Sequence, residues 1–146
     1  MIAKQNDIFE NASDVRKNWS SAIDTAVHER PVFINRTHDY VALMDTSLLI
    51  EVFHDYKYHI TFSIEDDGSY TGGVDELDLF ENAPTKEECL SLLMASMRDY
   101  AADFYREFNY WSKAINRKKH IPYVLKILTS SDEKLLEDII CRDGKN

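Results

Sequence analysis

"SDVRKNWSSAIDTAVHERPVFINRTHDYVALMDTSLL", residues 13 to 49, packs several kinds of local order into one stretch. Val15, Trp19, Ala22, Ile23 and Ala26 recur at i, i+4, i+7, i+8 and i+11, the spacing of one apolar helical face. Ser13 is a suitable N-cap for that helix, and the helix must end before Pro31. "PVFIN" (31–35) and "YVALM" (40–44) are β-like runs on either side of the polar turn "RTHD", so a hairpin is expected. "TSLLIEVFHDY" then restarts a helix on Thr46 or Ser47. With a short strand on Ile8 and Phe9 ahead of it, the segment reads strand, helix, hairpin, helix. Arg16, Lys17 and Asn18 fall where the first helix begins, an end whose macrodipole is already positive. A role other than helix stability is expected for them.

Beyond residue 54 the texture changes. "YKYHITFSI" (56–64) alternates as a strand does, "EDDGSYTGG" carries turn chemistry, and "VDELDLF" returns as a second strand. Thr85 and Glu88 make a capping box for a long helix. Leu90, Met94, Met97, Ala101, Phe104, Phe108 and Trp111 continue it as a heptad-like seam, expected to pack on the preceding sheet. "NRKKHIPYVLKIL" interrupts the seam with a basic cluster before a short helix. "SSDEKLLEDIICRDG" is expected to form a last helix that starts on Ser130 or Ser131, buries Leu135, Leu136, Ile139 and Ile140, and stops at Gly144. The expected architecture is therefore α+β, with one domain over residues 1–54 and a β-hairpin plus mostly helical module over residues 55–146.

Composition narrows the function classes. The 146 residues carry a net charge of −9, with 44% hydrophobic residues and only four Gly and three Pro, as in a folded chain. The first 54 residues contribute −3 and the remainder −6. That balance argues against generic charge-driven binding to nucleic acid or to an anionic membrane, though not against a small local patch. No apolar run reaches the roughly 20 residues of a membrane helix, and "MIAKQNDIFEN" lacks the apolar region of a signal peptide, so a cytoplasmic protein is expected. Cys89 and Cys141 are too far apart in sequence to suggest a disulfide framework or a metal site.

Catalytic signatures are missing: no phosphate-binding glycine loop, nucleophile elbow, HExxH or CxxC occurs, and neither enzyme activity nor a cofactor is expected. His54, His59 and Asp55 straddle a helix-to-strand change and read as surface in preference to metal ligands. Glu65, Asp66 and Asp67 precede Gly68 as ordinary turn residues and lack the further ligands of a calcium loop. Tyr56, Tyr58 and His59 could stack on single-stranded nucleic acid, yet on an acidic module they read better as a sheet core. The remaining cluster is different, because Arg16 on the first helix is matched by Arg36 and Thr37 in the hairpin turn. Guanidinium groups suit bidentate contact with guanine or phosphate, Asn18 can pair with an adenine edge, and a helix start at Ser13 can seat a phosphate.

These residues carry a resemblance. Ser13, Arg16 and Asn18, then Pro31, Val32, Ile34 and Arg36, then Val41, Ala42, Leu43 and Met44 follow in order the pattern of the prevent-host-death (Phd/YefM) antitoxins over about residues 7–54. The chain departs from it with Val15, Asn35 and Asp39 in place of the usual residues. The resemblance implies a homodimer, or a higher oligomer, in which Ser13, Arg16, Lys17, Asn18, Arg36 and Thr37 contact operator DNA. It implies an antitoxin that neutralises a cognate toxin and represses its own operon, the toxin-contacting residues being undefined. "YHITFSIEDDGSYTGGVDELDLF" with "TKEECLSLLMASMRDY" faintly resembles the HicB-like antitoxin domains, which implies a toxin-binding role for residues 55–146. An acidic surface there suits a basic toxin. The competing expectation is a protein-interaction or scaffold module of the same fold that does not bind DNA.

Overall fold

The computed structural model describes residues 7–144, and the chain divides into two units, Met1–Glu51 and Val52–Asn146. In the first unit, β1 (Glu10–Asn11), α1 (Ala12–Lys17), α2 (Trp19–His28), β2 (Val32–Arg36), β3 (Asp39–Leu43) and α3 (Thr46–Val52) follow one another. The strands form one mixed sheet in the order β1-β2-β3, with β1 parallel to β2 and β2 antiparallel to β3. The hairpin register runs from Val32 opposite Leu43 to Arg36 opposite Asp39. Thr37 and His38 therefore make the turn, with Thr37 at φ 54°, an uncommon conformation for a β-branched residue.

Four local expectations shift here. The first strand is Glu10–Asn11, not Ile8–Phe9, because its pairing is with Ile34 and Asn35. Phe9 packs instead against Phe33 and, edge-on, against Tyr40, with ring centroids 5.5 and 5.2 Å apart. Asn11, not Ser13, caps α1, its Oδ1 accepting from the Ser13 amide at 2.8 Å. Likewise Asp45, not Thr46 or Ser47, caps α3: it accepts from the Ser47 amide at 2.8 Å and from the Ser47 hydroxyl, and these bonds hold its carboxyl below the usual carboxylate range. The apolar stripe from Val15 to Ala26 is shared by two helices. They break at Asn18 (φ −119°, ψ 42°), whose backbone and side-chain amides both donate to the Asp14 carbonyl at 3.1 Å.

The second unit contains β4 (Tyr58–Ile64), β5 (Tyr70–Val74), β6 (Leu79–Ala83), α4 (Lys86–Arg106), α5 (Phe108–Trp111), a 3₁₀ turn at Lys118–His120, α6 (Ile121–Thr129), α7 (Asp132–Glu137) and β7 (Ile139–Asp143). In place of a hairpin with mostly helices, it is built on a four-stranded mixed sheet in the order β6-β5-β4-β7, with β7 parallel to β4. Two misread segments account for the difference. "YTGGV" is a strand, and its glycines serve close approach instead of turning the chain. A Cβ on Gly72 would lie 2.7 Å from the Leu93 Cδ1 and 3.0 Å from the Cys89 Sγ, so α4 can press onto β5 only where a side chain is absent. The chain turns at 75–78 instead, with Asp78 at φ 55°. The C-terminal helix stops at Glu137, and the Ile-Ile run after it enters the sheet.

Helix α4 starts as its capping box requires, with the Thr85 hydroxyl accepting from the Glu88 amide at 3.2 Å. Its buried stripe is Cys89, Leu93, Met97, Ala101 and Phe104, so in the first two turns it runs one residue earlier than Leu90 and Met94. The helix breaks at Glu107, and Phe108 and Trp111 pack on the core from α5. Tyr58, Ile60, Phe62 and Val74 from the sheet meet that stripe and Val124 and Ile127 of α6 in one cluster. Beside it lies a buried ion pair, Lys126 Nζ to Asp138 Oδ2 at 3.1 Å, both side chains 1% exposed. Lys57 reaches Asp138 Oδ1 at 2.8 Å, and Lys126 also donates to the Tyr56 carbonyl at 2.7 Å. Burial raises the Asp138 carboxyl, yet its bonds to Lys57 and Lys126 hold it below its ordinary value, while burial pushes the Lys126 ammonium down.

Candidate nucleic-acid interface

Asn11 ends β1 and begins α1, and one and a half turns later the same short helix presents Arg16 and Lys17 in its last turn. The break at Asn18 reverses the electrostatics expected from sequence. Cations at the C-terminal turn of α1 are favoured by its dipole, not opposed by it. Both side chains are exposed, and among the described residues neither has a carboxylate within ion-pair distance. Ser13 is exposed, its amide already taken by Asn11. Asn18 is exposed too, and its Nδ2 is committed to the Asp14 carbonyl.

Arg36 ends β2, and the register sets it opposite Asp39, to which its Nη2 donates at 3.1 Å. Both side chains remain mostly exposed, at 75% and 64%, so water screens the pair strongly. Thr37 stands beside it at the tip of the hairpin. Arg16 and Arg36 come together on the rim of a groove of about 640 Å³, and Thr37, Ser13 and Lys17 are not among its lining residues. The groove floor is apolar: Val15, Trp19, Ile34, Val41 and Leu43 line it. Trp19 and Val41 are each about half exposed, at 52% and 53%. Trp19, expected on one apolar helical face, and Val41, expected within a β-like run, are both open to the groove. The available signal was the unbroken apolar run of β3, which leaves no polar face to turn to water.

Other candidate clusters come apart. Tyr58 is fully buried and donates its hydroxyl to the Tyr123 carbonyl at 2.7 Å, burial raising its pKa, so it cannot stack on a base with Tyr56 and His59. The His59 ring faces Glu76, Nδ1 to Oε2 at 2.9 Å. Asp67 accepts from the amide and hydroxyl of Ser69, which closes the acidic turn on itself. Among the described residues no three His, Cys, Asp or Glu side chains converge as metal ligands.

Over residues 8–141 the chain matches the PHD-like family, described as the antitoxin of a toxin–antitoxin system, RelE/RelB. It also matches the crystal structure of an antitoxin part of a candidate toxin/antitoxin system from Syntrophomonas wolfei subsp. wolfei. The TM-score is 0.86 at 31% sequence identity, covering 93% of this chain and 99% of that one. No curated protein matches. The family match spans both units, and neither comparison supports a likeness to HicB in the second.

Proposed function

The chain belongs to the PHD-like antitoxin family, and from that membership we propose that it neutralises its cognate toxin by direct binding and, as a homodimer, represses its own operon. It is an antitoxin of a toxin–antitoxin system, a binding protein and not an enzyme. In this reading the domain of residues 1–54 pairs with a second copy and contacts operator DNA through Ser13, Arg16, Lys17, Asn18, Arg36 and Thr37. Residues 55–146 hold the toxin. The reading sets the protein in the cytoplasm; among the described residues no helix is long and apolar enough to cross a membrane.

One observation carries the DNA part: two arginines from separate elements flank one groove, and among the described residues Arg16 and its neighbour Lys17 have no carboxylate within ion-pair distance. A dimer doubles a patch that is too small to hold a duplex alone. The half-exposed Trp19 and Val41 on the groove floor support the pairing of copies, since an open apolar groove on a small unit is an unfilled contact. The Arg36–Asp39 pair favours the second reading, a protein-interaction module without DNA binding, because a carboxylate beside the arginine repels phosphate.

Anisotropy titration of the full chain against its own upstream DNA at two salt concentrations separates them, beside the Arg16→Ala, Arg36→Ala double variant. The operator reading expects salt-sensitive binding that the double variant loses. No binding by the wild-type protein, with or without the product of the neighbouring gene, leaves only the interaction module. Co-purification of that gene product with the full chain tests the toxin part.

A further inference from the structure

In the second unit, charge neutralisation fails at one place. Among its described residues, seven lysines and arginines between Lys57 and Arg142 lie within ion-pair distance of an Asp or Glu. Lys113, Arg117, Lys118 and Lys119 are the four that do not, and all four stand on the turn between α5 and α6. The sequence shows why: from Phe108 to Ser131 there is no Asp or Glu, although the chain carries 26.

The turn is fixed from beneath. Its backbone closes on itself through Ala114 N to the Trp111 carbonyl at 3.2 Å and Arg117 N to the Ala114 carbonyl at 3.0 Å. His120 at its end is fully buried, with Nδ1 2.6 Å from the Tyr100 hydroxyl, and the Arg117 guanidinium lies 5.7 Å above the Tyr100 ring. Lys113, Lys118 and Lys119 are exposed, and Tyr110, at the start of the same acid-free run, is 67% exposed. Anchored cations beside an exposed ring suit a chain of phosphates with bases or sugars against the ring.

We propose that this turn is a second nucleic-acid contact, holding the phosphate backbone without reading sequence. It deepens the operator-binding reading and rests on it. A surface that only kept the protein soluble would pair or intersperse its charges, as the rest of this unit does. Here the acids are withheld from a protein that is otherwise rich in them.

The test uses the full chain, the upstream duplex and a scrambled duplex of equal length. Wild type is compared with Lys113→Gln, Lys118→Gln, Lys119→Gln, and separately with Arg16→Ala, Arg36→Ala. Arg117 is left in place because its stacking on Tyr100 supports the turn, and equal melting temperatures control for folding. The triple variant is expected to bind both duplexes on the order of tenfold more weakly at low salt. Its log K against log salt slope should be shallower by roughly 0.9 for each lost contact. A triple variant equal to wild type on both duplexes overturns the proposal; if the arginine variant still loses the upstream duplex, the operator reading survives alone. The reverse pattern, loss in the lysine variant only, supports the second contact and removes the first. Wild type binding neither duplex overturns both.

Discussion

Both units expose apolar side chains, but they differ in the core they close. Among the described residues the first buries Val15, Ala22, Ala26 and Val32, while Trp19, Val27, Tyr40 and Val41 stay exposed. The second closes fourteen buried hydrophobic residues into one cluster. Size explains part of it, because a unit of about fifty residues buries a small fraction of its surface unaided. Placement explains the rest. Trp19 and Val41 of the first unit line an open groove, whereas Tyr58, Ile60, Phe62, Leu93, Met97 and Phe104 of the second meet between a sheet and the helix above it. In the proposed dimer a second copy completes the first unit, while the second unit closes its own core.

The sharpest way to break that contrast is to damage the second core and watch the first unit. Trp19 and Trp111, the two tryptophans of the chain, report one unit each. Phe104→Ala removes a ring that is 1% exposed and packs edge-on against Tyr100 and Phe108. It is expected to cost about 3–5 kcal/mol. Asp138→Asn should cost a similar amount, about 3–5 kcal/mol, because it leaves the buried Lys126 ammonium without its counter-charge. In single-tryptophan backgrounds, Trp19→Phe and Trp111→Phe, both lesions should lower the Trp111 transition and leave the Trp19 transition in place. If the two transitions move together, the units are one cooperative body and the contrast fails.

From the other side, Val41→Glu sets a charge on the groove floor where the side chain is already 53% exposed. The unit should fold as before, but self-association is expected to weaken on the order of a hundredfold, about 2.7 kcal/mol. Sedimentation of the full chain over a concentration series reads this directly. An unchanged association constant would mean that copies meet elsewhere or not at all.

A smaller effect tests whether the second core tolerates charge. His120 is fully buried and among the described residues its Nε2 has no hydrogen-bond partner; burial above all, helped by Arg117 and opposed by Asp78, holds its pKa below 6.5. A histidine depressed in the folded state binds its proton first in the unfolded one. Its stability contribution is therefore intact above about pH 6.5 and is lost as pH falls from there through the folded value, at no more than about 1.4 kcal/mol per pH unit. The Trp111 transition should drop between pH 7 and pH 5.5, and His120→Gln should flatten that drop whatever it costs in absolute stability. An equal drop in the variant would assign the slope to other groups.

What could be read from sequence follows the same division between local signals and long-range contacts. The hairpin of residues 32–43 and the start of α4 rest on neighbours: β-branched runs around a polar turn, and Thr85 capping the Glu88 amide. Strand β5 does not, because Gly72 looks like a turn residue until α4 is laid across it and Gly73 until Phe80 of β6 lies over it. Strand β7 fails for another reason: Leu135, Leu136, Ile139 and Ile140 fit a helical face, and only pairing with β4 decides that Ile139 begins a strand. At the site, the arginines were visible as residue types, whereas the break at Asn18 that moves Arg16 to a helix end was hidden by an apolar period that continues across it. The turn at residues 113–119 was visible as a basic cluster. That its cations lack partners depends on where every acid of the unit falls.

The smallest expected effect on stability is the most informative for the first unit. Arg36 and Asp39 are mostly exposed, so removing either partner should change unfolding free energy by no more than about 0.5 kcal/mol. Binding to the upstream duplex should respond in opposite directions. Arg36→Ala removes a phosphate or base contact and weakens it, whereas Asp39→Asn removes a carboxylate that competes with phosphate for the same guanidinium and tightens it severalfold. Two substitutions alike in fold and opposite in binding would show that the pair is a charge held in check for a polyanion. If Asp39→Asn weakens binding instead, the carboxylate serves to aim Arg36 along the hairpin. If neither moves binding, the pair is a surface ornament of the turn, and the groove between Arg16 and Arg36 belongs to the second copy alone.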